Sequence, residues 1–158
     1  MMRKSWYVLL LCLLQVVAVQ AAEMQAEDEI LSLAVWMMES PYSFEGTVNN
    51  LREAIGAGNF RMIREQPWDY GLETGVTDSR ETILYFCNFD MVNRAIKLDR
   101  RVGQLLPFRI TVVEQGGRVW AVAINPEAVM QMMDTPRLGG FRKRAASMYR
   151  QIIEEGLF

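Results

Sequence analysis

The sequence predicts an α+β domain: a largely antiparallel sheet of about five strands, helices packed on one face, and an extra C-terminal helix. Three observations predict it. Short β-branched and aromatic runs are interleaved with stretches of helical apolar spacing, in the order βαββαββ followed by helices. Two of those runs flank Gly116-Gly117, a dipeptide suited to the positive φ of a tight hairpin turn. The remaining glycines fall at turns and helix ends, and no repeat or low-complexity segment interrupts the pattern.

The elements follow in order. ILSLAVWMM, Ile30 to Met38, alternates loosely and stops at Ser40-Pro41, which reads as a first strand with a helix as the competing assignment. Phe44, Val48, Leu51 and Ile55 then recur on one face of a helix that Ser43 caps, Glu45 favours in its first turn, and Gly56 and Gly58 end. NFRMIREQ reads as a second strand with Phe60, Met62 and Ile63 inward, and Pro67 to Asp78 as a turn-rich loop carrying Trp68 and Tyr70. RETILYFCN is the strongest strand. Ile83, Tyr85 and Cys87 share one face and Leu84 and Phe86 the other, so apolar side chains on both faces predict a central position. DMVNRAIKLDRR is a short helix capped by Asn88 or Asp90 and stopped by Gly103. FRITVVEQGGRVWAVAIN is the hairpin. Asn125 caps the next helix with Pro126 at its first position. The last helix, about Gly140 to Glu155, places Phe141, Ala145, Met148 and Ile152 on one stripe, with Arg150 and Glu154 as an i,i+4 pair.

The first residues set an expectation of export. MMRK is a basic start, SWYVLLLCLLQVVAV an apolar run shorter than a spanning helix, and Val19 and Ala21 fit the small-residue positions of a cleavage site. Residues 1–21 therefore read as a signal peptide cut near Ala21, and residues 22–158 as one periplasmic or secreted domain; an uncleaved membrane anchor is the competing reading. Removing Arg3 and Lys4 takes the formal net charge from −2 to −4. A mildly acidic domain lacks the clustered cations that phosphate backbones require, so nucleic acid is not an expected partner. Glu23, Glu27, Asp28 and Glu29 make an acidic start, and Arg137, Arg142, Lys143, Arg144 and Arg150 a basic end. Each is a solvated face or a docking surface for another envelope protein.

Several chemistries are absent. The chain has no histidine, which excludes Ser-His-Asp and Cys-His catalysis, c-type haem attachment, and the commonest zinc and copper ligand. No Gly-rich phosphate loop appears, and Cys87 alone cannot form a two-cysteine redox motif. No cofactor is implied, and no pair of carboxylates has a spacing that marks an acid/base couple.

ESPYSFEGTVNNLREAI, the strand ending FCN, LPFRITVVE and the closing VWAVAINP together resemble the family called domain of unknown function 302, in its secreted, FCN-bearing form. Many members show a SPYSFEETV-like helix start, an FGN or FCN step, an LP-x-R strand and a final NP. The resemblance covers about residues 31–133 and leaves 134–158 as a helical extension. It implies a compact α+β domain that pairs with itself. Two departures stand out: Phe89 occupies the place where many relatives have proline, and Phe108 the place where some carry a second cysteine.

Candidate site residues gather around the strand-to-helix steps. Cys87 precedes a helix N-terminus that would favour a thiolate, suiting redox sensing, sulfur handling, a soft metal or an intermolecular disulfide. The alternative is a small buried hydrophobe between Phe86 and Phe89. Met130 and Met133 could join Cys87 around Cu(I), or serve as adaptable core. Asn88 and Asn125 read as caps or as ligand contacts. Arg109, unusual in a strand, reads as an anion contact, as a solvent-exposed side chain, or as a partner of Asp99 or Glu114. Trp68 and Tyr70 could stack on a flat ligand or lid the core. The sequence thus predicts an exported ligand-binding or interaction domain, non-enzymatic and homodimeric, with thiol chemistry at Cys87 as the alternative.

Overall fold

The computed structural model describes residues 33–67, 79–133 and 136–158. The signal-like segment, the acidic start, Trp68 and Tyr70 lie outside them. The described strands and helices belong to one compact unit, Ala34–Phe158. It runs β1 (Val35–Ser40), α1 (Phe44–Ala57), β2 (Arg61–Pro67), β3 (Ser79–Cys87), α2 (Phe89–Leu98), a 3-10 helix (Arg100–Leu105), β4 (Phe108–Gln115), β5 (Arg118–Ile124), α3 (Pro126–Gln131), a 3-10 turn (Pro136–Leu138) and α4 (Gly139–Leu157).

The strands form one antiparallel sheet in the order β1-β5-β4-β3-β2. β4 and β5 form the expected hairpin, with Gly116 and Gly117 at φ 59° and 74°. Those values are strained for any side chain with a Cβ. β3 lies between β2 and β4, which agrees with its apolar residues on both faces. β1 runs Val35–Ser40, later than the sequence alternation suggests, because its length is set by pairing with Val119–Ile124 of β5. In β2 the register shifts between Met62 and Arg64. Ile63, an inward candidate in the sequence, is the extra residue of that bulge and is 49% exposed.

Helices α1 and α4 cover one face. Phe44, Val48, Leu51 and Ile55 of α1 meet Ala145, Tyr149, Ile152, Ile153 and Leu157 of α4, above Leu84 and Phe86 of β3 and Ile110 and Val112 of β4. The helices come close together where Gly156 faces Leu51: a Cβ at Gly156 would stand 2.6 Å from Leu51 Cδ2. The expected stripe on α4 is buried at Ala145 and Ile152 and partly buried at Phe141 and Met148, and Tyr149 and Ile153 are buried beside it. A smaller cluster of Ala95, Val102 and Leu138 joins α2 to the two 3-10 segments. Capping follows the sequence closely. The side chain of Ser43 accepts from Gly46 N–H, that of Asn88 from Met91 N–H, and that of Asn125 from Glu127 N–H. Asp99, not Gly103, ends α2, and its side chain then caps the 3-10 helix.

Candidate functional site

The chain passes repeatedly through one end of the sheet. There β3 hands over to α2, β5 to α3, and the 3-10 helix leads through Leu106-Pro107, a cis peptide, into β4. All four sequence candidates lie at this end, but the structure divides them between two cavities.

Cys87 and Asn88 border the first, a cavity of about 250 Å³ shared with Gly56, Asn59, Arg61 and Asp90. Asn88 is a structural clamp. Its Oδ1 accepts from Met91 N–H at 2.9 Å, and its Nδ2 donates to the Asn59 carbonyl at 3.0 Å, holding a turn in which Asn59 takes φ 60°. Cys87 is 4% exposed, and Arg61 is its register partner across the β2–β3 pair. Burial pushes its thiol pKa up from the ordinary value. The desolvation of a thiolate here outweighs any help from the α2 N-terminus. Met130 and Met133 border a different part of the fold. Met130 is 1% exposed in the main core, Met133 packs against both hydrophobic clusters, and neither lines the cavity at Cys87. Among the described residues no group of three His, Cys, Asp or Glu side chains is placed to hold a metal ion.

Arg109 belongs to the second cavity, of about 240 Å³. One wall is Leu105, Leu106, Pro107 and Phe108, and the other is Ile124, Pro126 and Val129. Tyr149 closes it from the helix layer by donating its phenolic hydrogen to the Arg109 carbonyl. Burial pushes the phenol pKa well above its usual value, so it stays a donor at any physiological pH. Tyr85 stands opposite Arg109 in the β3–β4 register. Neither suggested partner of Arg109 takes it up: Asp99 is bound by Arg101, and the Arg109 guanidinium makes no ion pair among the described residues. Asn125 sits between two lining residues, Ile124 and Pro126, but its side chain is spent on the α3 cap. Sequence reasoning missed the hydrophobic wall before β4 and the closing Tyr149. Leu105-Leu106-Pro107 was the available signal, an apolar run in a connection.

The face of the sheet away from α1 and α4 is the third feature. Ile83, Thr111, Val122 and Met37 form one cross-strand row, with Val113 and Trp120 in the next. Met37 is 59% exposed. Arg118 lies over the Trp120 ring at 4.5 Å and donates from Nε to Glu39 Oε1 at 2.8 Å. That contact lowers the Glu39 pKa.

A single antiparallel sheet backed by two helices, with cavities at one sheet end, defines a small α+β domain. The chain belongs to the DUF302 family, described as a domain of unknown function, whose model matches residues 36–156 and so takes in the last helix. It is also similar to a solved structure, an uncharacterized conserved DUF302 protein from Bacillus stearothermophilus. The TM-score is 0.72 at 17% identity, over 78% of this chain and 98% of that one. At that identity the likeness speaks to fold alone. No curated protein matches the chain.

Proposed function

We propose that this chain is an exported, non-enzymatic interaction domain whose working surface is the sheet face away from α1 and α4, occupied first by a second copy of itself. The observation that carries the reading is the apolar centre of that face. A sheet with one solvated side alternates apolar inside and polar outside. Here the outward positions Met37, Val113, Trp120 and Val122 are apolar around Thr111, and charge stands about them at Glu39, Arg64, Glu81, Arg109 and Arg118. An apolar centre within a charged margin is the composition of an interface. Four strands at ordinary spacing and rise make this patch roughly 20 Å square. Two copies would then bury on the order of 1,000 Å² together, the low end for a specific contact. Turning one copy end over end sets Glu81 toward the Arg64 end of its partner, so the margins attract.

Export is supported by the basic start, the short apolar run and the small residues near Ala21. Thiol chemistry at Cys87 is the weaker reading, since the thiol is buried and its pKa raised. Light scattering of the mature chain at micromolar concentration is the test. A dimer is expected for the wild type and a folded monomer for Val122→Arg, with circular dichroism unchanged. A wild-type monomer sinks the reading.

A further inference from the structure

We propose that the cavity at the start of β4 is a binding site for a small amphipathic anion, such as an aromatic carboxylate. The site is built within one chain, so it goes beyond the pairing of sheet faces and does not depend on it.

Three features define the occupant. The walls are apolar: Leu105, Leu106 and Phe108 on one side, Ile124 and Val129 on the other. An uncharged body of hydrocarbon or aromatic character fits between them. The volume, about 240 Å³, lies below the ~300–1,000 Å³ of sites for drug-sized ligands, which favours a single ring or a short chain. Arg109 then supplies the polar requirement. It is exposed at the cavity, carries a permanent charge and is without a carboxylate partner among the described residues. A guanidinium presents paired N–H donors that match the two oxygens of a carboxylate. Gln104 lines the same cavity and adds a side-chain amide.

Two other polar side chains at this end are already engaged. The Tyr149 hydroxyl is committed to the Arg109 carbonyl, and the Asn125 side chain to Glu127 N–H. The Tyr149 bond holds the backbone of Arg109 while leaving its guanidinium free. No carboxylate lines the cavity to repel an anion.

The test uses three probes on the wild-type protein, read by amide chemical shifts. Benzoate carries both the ring and the charge, benzyl alcohol the ring alone, and inorganic phosphate the charge alone. Benzoate is expected to bind most tightly, with shifts centred on residues 104–109 and Val129. Arg109→Gln should weaken benzoate roughly tenfold or more, equal to about 1.4 kcal/mol, and leave benzyl alcohol unchanged. The unchanged alcohol shows that the cavity is still folded. Three results would each overturn the proposal: benzoate binding no better than benzyl alcohol, phosphate matching benzoate, or an Arg109→Gln variant with wild-type affinity.

Discussion

Tyr149 of the last helix and Arg109 of the hairpin are joined by one hydrogen bond across 40 residues of sequence, phenol to main-chain carbonyl. The β4–β5 register ends at Ile110–Ala123, one residue short of Arg109. The phenol therefore meets a carbonyl at the limit of the ladder. Tyr149→Phe keeps the ring packing against Phe86 and Phe108 but orphans that acceptor. A loss of about 1–3 kcal/mol is expected, measured by urea unfolding with an unchanged m-value.

Asn88 does two jobs with one amide. Asn88→Ala removes the α2 cap and the tie to the Asn59 carbonyl together. Loss of about 1–2 kcal/mol is expected, while Asn88→Asp should restore the cap and not the tie. Comparing the melting temperatures of the two variants separates the contributions.

Gly156 marks a close approach of the two long helices. In a helix interior alanine is ordinarily better than glycine by roughly 1 kcal/mol. Here a methyl group would stand 2.6 Å from Leu51 Cδ2 and 3.0 Å from Leu51 Cα. Gly156→Ala is accordingly expected to destabilise, by about 1–3 kcal/mol, because the helices must part. Gly156→Ala paired with Leu51→Ala should recover part of the helix contact, which a double-mutant cycle measures.

The raised pKa of Cys87 fixes a direction with pH. The folded state holds the thiol proton more firmly than the unfolded chain does. Stability from this group is therefore complete below the unfolded thiol pKa of about 8.5, and it is lost as pH climbs from there toward the folded value. Cys87→Ala should flatten the alkaline arm of a stability profile. In the native protein a thiol reagent at neutral pH should label Cys87 only as fast as the sheet end opens. Rapid labelling would contradict the buried assignment.

What the sequence revealed and what it hid divide along the range of the interactions. Ser43, Asn88 and Asn125 were legible as caps because a cap bonds an amide two or three positions away. The β3 alternation was legible for the same local reason. Ile63 was not, because a bulge is a property of two strands in register and not of one. Cys87, Asn88, Arg109 and Asn125 were all placed near one sheet end. That Arg109 and the residues flanking Asn125 share one cavity, while Cys87 and Asn88 border another, depends on how α2 and the 3-10 segments pack. The Tyr149 bond is the extreme case, since nothing near position 149 names its acceptor.

The passage from Gln104 to Pro107 runs from the last two residues of a 3-10 helix to the residue before β4. Its side chains form a cavity wall, yet its backbone contributes nothing to the sheet ladder. In the proposed site this part of the wall is thus written outside the ladder, while Phe108, Arg109 and Ile124 belong to it. Relatives could exchange Leu105 or Leu106 for larger or smaller residues and admit a different guest, while the sheet and its two backing helices are inherited unchanged.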